Sequence, residues 1–554
     1  DSKISQCKDW NEFFELTSSL KKNSTEQGNY FERFTQLFLK TSPIYSTQFK
    51  NIWWPKNNEL PEYISQKLNL PRVDEGIDLI AETREGEYCS IQAKFRTDTD
   101  RPFTSSDLDR FSKLSFLICK NISSGLFLNT AKKPVKKSDQ LGDDVKEIGL
   151  QDFLDIDKAQ WKNIINICKG NKLQIPVPRT PDPRHQEKAI DDSYEHFFKK
   201  KNTRGKLIMP CGTGKTLTAF WIAEKLKSKT IIVSVPSIAL VKQTLKDWAI
   251  EFTSKKIVPK WIAVCSDESV GEMKKMDSIV ASIYESGIPT TTDPKIIERF
   301  IKTDPNTQKI IFTTYHSSPK LAGIIKKLNI EIDLLIADEA HKTAGEKAKV
   351  FSTLLYDENV KIKKRLFMTA TERVCKDDSD DIVSMDDVEV YGKTYHRLSF
   401  KEAIKEKVIC DYKIITINIP EEEIEKFQEK LNLNTKRGNV QYNSLNRNFL
   451  SHIALEKSFK KHKIKHAISF HQSISKAEDF KNLQNTFSGK VSPEININAF
   501  HVSSKKNASE RQNILSDFIK EKHSLITNAR CLTEGIDIPA IDCVVFSDPR
   551  QSIV

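Results

Sequence analysis

The sequence predicts an α/β protein in which a mixed α/β domain precedes two parallel-sheet domains. Three observations predict it. The chain has 554 residues, more than one hydrophobic core accommodates. After residue 183, short β-branched runs alternate with helical segments, the pattern of a parallel sheet covered on both faces. Between these parts, residues 170–184 (GNKLQIPVPRTPDPR) contain four prolines and no helical periodicity. Proline removes backbone donors and biases its predecessor to extended geometry, so this stretch reads as a linker.

Within the alternating part, residues 206–210, 230–235, 309–315, 333–339 and 365–371 read as strands, with helices at 215–227 and 238–248. A second series of strands follows at 466–470, 495–502, 524–529 and 543–548. The expected domains are 1–168, a linker at 169–183, then 184–395 and 396–554.

Composition narrows the class. Hydrophobic residues at 38% exclude a disordered chain. No stretch approaches the roughly 18 apolar residues of a membrane helix, and the opening DSKISQCKDW has no apolar core of the signal-peptide kind. Ten scattered cysteines form no CxxC pair, which fits a reducing cytoplasm and no zinc site. The net charge of +12 is compatible with binding a phosphate backbone.

Cys211-Gly212-Thr213-Gly214-Lys215-Thr216 lies between an apolar strand and a helix. Backbone N–H groups of such a turn cradle phosphates, Lys215 reaches the β- and γ-phosphates, and the Thr216 hydroxyl suits Mg²⁺. Met209 stands where the generic motif has its first glycine. Asp338-Glu339-Ala340-His341 ends the apolar run 334–337. An aspartate at that tip is placed for Mg²⁺, and Glu339 for the attacking water. ATP and Mg²⁺ are therefore the expected cofactors.

These motifs, in this order, resemble superfamily 2 helicases of the DEAH type over residues 184–554. The resemblance implies two RecA-like domains and further roles: Gln186 reading adenine; Pro236, Ser237, Thr314, Tyr315 and Thr533 on the nucleic-acid backbone; Thr369-Ala370-Thr371 coupling hydrolysis to domain movement; Gly535 and Asp537 toward nucleotide. The arginines of the family's last motif should follow Asp548-Pro549-Arg550-Gln551, whereas the sequence stops at Val554. The expectation is a longer parent polypeptide, with weak ATP turnover by residues 1–554 alone.

Residues 76–95 alternate around a central Arg-Glu-Gly-Glu and read as a β-hairpin. Asp78 begins its first strand, and Gln92 and Lys94, two apart, share a face of the second. Metal-dependent phosphodiester cleavage needs a hard oxygen ligand, a second oxygen donor and a cation; Asp78, Gln92 and Lys94 supply that set, provided the register does not slip. The pattern resembles the Mrr-like branch of the PD-(D/E)xK nucleases, a restriction-endonuclease-like fold. Glu32 stands where that branch carries a helical glutamate.

Nuclease and motor in this order resemble the N-terminal part of type ISP restriction-modification enzymes. The resemblance implies a bacterial cytoplasmic enzyme for phage defence that acts on double-stranded DNA. It also implies methyltransferase and target-recognition domains covalently linked downstream. Two alternatives remain: a repair helicase–nuclease without site specificity, and a translocase whose N-terminal domain only grips DNA.

Overall fold

The computed structural model describes residues 1–20, 24–71, 76–133, 135, 145–266, 288–303, 307–346, 350–375, 382–420, 422, 440–489, 494–503, 506, 508–529, 532 and 538–546. The chain divides into two compact units, one built from residues 1–267 and 281–410, the other from the remainder. No described helix is long and apolar enough to cross a membrane.

The first unit begins with a five-stranded sheet in the order β1 (Phe49–Trp53), β2 (Leu79–Thr83), β3 (Tyr88–Lys94), β4 (Ile122–Asn129), β5 (Val145–Ile148). β2 pairs antiparallel with β1 and β3, whereas β4 is parallel to β3 and to β5. Leu79 and Ala81 on β2 and Cys89, Ile91 and Ala93 on β3 face a core shared with Phe31, Phe34 and Phe38 of the helix Ser24–Thr41. Ile80 and Tyr88 face the opposite layer. The period-2 alternation of the hairpin thus buries both faces, which locks its register.

A seven-stranded parallel sheet follows. With β6 (Arg204–Ile208), β7 (Thr230–Val235), β8 (Lys260–Val264), β9 (Lys309–Thr314) and β10 (Ile332–Asp338), its order is Lys393–Arg397, β6, Ile362–Thr369, β10, β7, β9, β8. Its strands are almost wholly buried, as expected with helices on both faces. β8 and Lys393–Arg397 are the two edges, and neither was among the strands predicted from sequence. The strand Lys393–Arg397 runs across the expected boundary at 395/396, and Ala403 and Leu398 pack into the same core.

The smaller domain is fastened to this sheet. Ile44 enters the core cluster of that sheet, and the Trp261 indole donates to the Thr47 hydroxyl at 2.9 Å. Lys242, on the helix Ile238–Ser254, reaches Asp152 and Asp155, each at 3.0 Å. Arg179 of the linker pairs with Glu251 at 2.6 Å, so that segment lies against the helix Ile238–Ser254.

The second unit holds a four-stranded parallel sheet in the order Asn498–His501, Ser524–Asn528, His466–Phe470, Cys543–Phe546. All four coincide with predicted strands.

Candidate active sites

Parallel strands leave their carboxyl ends on one edge of a sheet, where open α/β folds bind ligands. The first unit collects its motifs there. The phosphate loop follows β6, Pro236-Ser237 follow β7, and Thr314, Asp338 and Thr369 end their strands.

Gly212 and Gly214 take φ of 80° and 77°, a left-handed geometry that side chains disfavour. A Cβ on Gly214 would also lie 2.6 Å from the Gln186 amide nitrogen. Met209 keeps the strand going: its N–H donates to the Thr369 carbonyl at 3.0 Å and its side chain is fully buried. That position needs an apolar residue and no glycine. Lys215, buried at the start of the helix Lys215–Lys225, lies 3.6 Å from Glu339.

Burial pushes the Asp338 carboxyl up, reinforced by Glu339 and opposed by Lys215. Burial also works to raise Glu339, but the hydrogen bond from His341 and the charge of Lys215 outweigh it and hold it down. His341 Nδ1 is 3.0 Å from the Thr369 hydroxyl, which donates to the Thr371 carbonyl at 2.9 Å. The carboxylates expected at the nucleotide therefore connect, through His341, to the segment expected to couple hydrolysis to movement.

Several predicted residues have other immediate partners. The Gln186 amide donates to the Thr213 and Gly214 carbonyls, each at 3.3 Å, and His185 contacts Thr213 at 2.9 Å. In this structure Gln186 braces the phosphate loop. Thr314 and Tyr315, expected on the nucleic-acid backbone, have buried side chains. Thr314 caps the turn at Ser317, and the Tyr315 hydroxyl donates to the Asp338 carbonyl at 2.7 Å. The resemblance to superfamily 2 helicases put both on the nucleic-acid backbone; in this structure their side chains support the strand ends. Ser237 caps its helix through the Leu240 N–H. Thr533, Gly535 and Asp537 lie outside the described residues.

At the hairpin, the pairing of Leu79 with Ile91 sets Asp78 opposite Gln92. Asp78 lies just before β2; its N–H donates to the Ile91 carbonyl at 2.9 Å, and its carboxylate accepts from the Ala93 N–H at 2.8 Å. Gln92 is buried and its Oε1 has no hydrogen-bond partner, an atom of the kind a bound ligand satisfies. Lys94 donates to the Asp107 carbonyl; burial pulls its ammonium below the usual range, opposed by Asp107 and Asp78. Glu32, buried on the helix Ser24–Thr41, accepts from the Trp54 indole at 2.9 Å. Asp78 thus stands opposite Gln92 and acts electrostatically on Lys94.

Lys56 was not predicted. It sits in the short turn Pro55–Asn57 and places its ammonium 2.7 Å from Glu32 and 3.9 Å from Asp78. No periodicity or motif marks it. Among the described residues, no three His, Cys, Asp or Glu side chains form a metal cluster. A cation here would depend on Asp78, Glu32 and the amide oxygen of Gln92. These are hard oxygen donors and fit Mg²⁺.

Comparison with protein families assigns each region. Residues 40–168 match the Mrr-type model described as a restriction endonuclease. Residues 181–373 match the res subunit of type III restriction enzymes, and 447–554 the conserved helicase C-terminal domain. The chain is a fusion of a restriction-endonuclease domain with a superfamily 2 helicase core. The fusion is similar over 97% of its length to the ATP-dependent type ISP restriction-modification enzyme LlaBIII, solved bound to DNA, with a TM-score of 0.72 and 25% identity. It is also 24% identical over 376 residues to the probable helicase A859L of African swine fever virus (isolate Tick/South Africa/Pretoriuskop Pr4/1996). The isolate Pig/Kenya/KEN-50/1950 protein is 25% identical over the same length. The fusion spans 36% of the LlaBIII chain and 38% of the viral helicases.

Proposed function

We propose that this fusion is the nuclease and motor portion of an ATP-dependent restriction enzyme that travels along double-stranded DNA and nicks it. The observation that carries the reading is the pairing of Asp78 with an unsatisfied Gln92 oxygen, beside Lys94 and Glu32, in the same unit as a phosphate loop and a DEAH strand end. Similarity to a DNA-bound type ISP enzyme supports the choice of DNA and of a restriction role.

ATP would bind against the Gly212–Thr216 loop, with Lys215 on its phosphates and Thr216 and Asp338 toward Mg²⁺. Glu339 would orient and polarise the attacking water. In the nuclease, Asp78, Glu32 and the Gln92 oxygen would hold a second Mg²⁺, which polarises a phosphodiester when bound. Lys94 would leave the Asp107 carbonyl to face the strand and offset the charge that grows on phosphate during cleavage.

Lys94→Ala in the full-length protein tests the assignment. Nicking of supercoiled plasmid should fall by about 10²–10³-fold, the size typical of removing one charge-stabilising donor, while DNA-stimulated ATP hydrolysis persists. Retained nicking would refute the nuclease assignment. Movement without unwinding predicts displacement of a triplex-forming oligonucleotide but no separation of duplex strands.

A further inference from the structure

The nuclease cluster contains more cationic charge than its predicted chemistry uses. Glu32 and Asp78 are 4% and 8% exposed, and burying two carboxylates together is costly without a compensating cation. Lys94 does not fill that role, because its ammonium is directed to the Asp107 carbonyl. Lys56 does, at 2.7 Å from Glu32 and 3.9 Å from Asp78. The other Glu32 oxygen is held by the Trp54 indole, two residues before Lys56. One turn thus supplies both partners of this buried carboxylate.

We propose that Lys56 is a resident counter-ion of the nuclease site, occupying the place between Glu32 and Asp78 that a divalent cation takes. Loading of the cation then requires Lys56 to swing away. The inference rests on reading the cluster as a metal-dependent nuclease. Its physical basis is charge and reach. Lys56 brings one positive charge to the two carboxylates, and a divalent cation in its place would bring two. The Lys56 side chain remains 32% exposed and extends from a surface turn, so its flexible stem can move into water without opening the core. Both faces of the hairpin stay packed during the exchange.

The test is a Mn²⁺ titration of nucleotide-free, DNA-free full-length protein, read by the electron paramagnetic resonance of unbound Mn²⁺. Asp78→Asn identifies the fraction bound at the nuclease site. At that site Lys56→Met should bind Mn²⁺ about tenfold more tightly than wild type, the scale of one close charge removed from a partly buried site. Lys56→Gln, which restores a polar donor, guards against a folding defect and should tighten binding as well. Lys56→Arg keeps the charge and should not. If both neutral variants bind Mn²⁺ as the wild type does, or more weakly, Lys56 is not a counter-ion that the metal displaces. If Asp78→Asn leaves Mn²⁺ binding unchanged, the nuclease reading itself fails and the inference falls with it.

Discussion

At the nucleotide site a lysine faces two carboxylates that are neighbours in the chain; at the nuclease site a lysine faces two carboxylates from separate elements. Lys215 lies 3.6 Å from Glu339, and Asp338 precedes it at the end of one strand. Lys56 lies between Glu32, on a helix, and Asp78, just before a strand. The electrostatic problem is shared, since buried acids need a cation until a ligand arrives. The connectivity differs. A site built at one strand end is robust because a single backbone positions it. A site assembled from three elements depends on the packing that brings them together.

The contrast is sharpened most strongly by Lys215→Ala, which should lower ATP turnover by about 10³-fold in a coupled phosphate-release assay. Mn²⁺ binding at Asp78 should be unaffected, and a loss there would mean the two sites are not independent. Lys242→Met tests the frame that carries both. It leaves Asp152 buried without its cation and should cost about 3 kcal/mol in chemical denaturation, the low end for a broken buried pair because Lys242 keeps 22% exposure. Burial raises the Asp152 carboxyl, and Lys242 opposes that. Without the lysine the folded state favours the protonated acid more strongly. The variant's deficit should therefore be larger near pH 8 than near pH 5, shrinking as pH falls through the raised range. Glu339→Gln should slow hydrolysis by about 10²-fold with ATP binding retained, measured by a fluorescent nucleotide; unchanged turnover would remove Glu339 as the base. Trp54→Phe removes one donor to a buried carboxylate and should cost about 1–2 kcal/mol; no change in the unfolding midpoint would show that Glu32 is positioned by other contacts.

The nucleotide site was legible because each of its motifs abuts an apolar run, such as Leu334–Ala337 before Asp338. A parallel sheet then delivers every strand end to one edge without further information. The hairpin was legible for a related reason: alternation fixed which residues share a face, and Asp78 fell opposite Gln92 once both faces were buried. Lys56 was not legible, since its turn has no period and its partners lie 24 and 22 residues away in sequence. Lys242 sat in a correctly expected helix, but nothing local distinguishes a lysine that reaches a neighbouring domain from one in water. Tyr315 was singled out by the helicase resemblance, and nothing local announced that its hydroxyl supports the Asp338 carbonyl. The edge strand Lys393–Arg397 was missed because it is mostly polar.

The attachment of Lys242 to Asp152 and Asp155 has a mechanical consequence. Pro236 and Ser237 lie at the head of the same helix that carries Lys242. Trp261 on Thr47 and Arg179 on Glu251 are additional fasteners along this seam. The hairpin that carries Asp78 and the helix headed by Ser237 are thus held in one frame by side chains far apart in sequence.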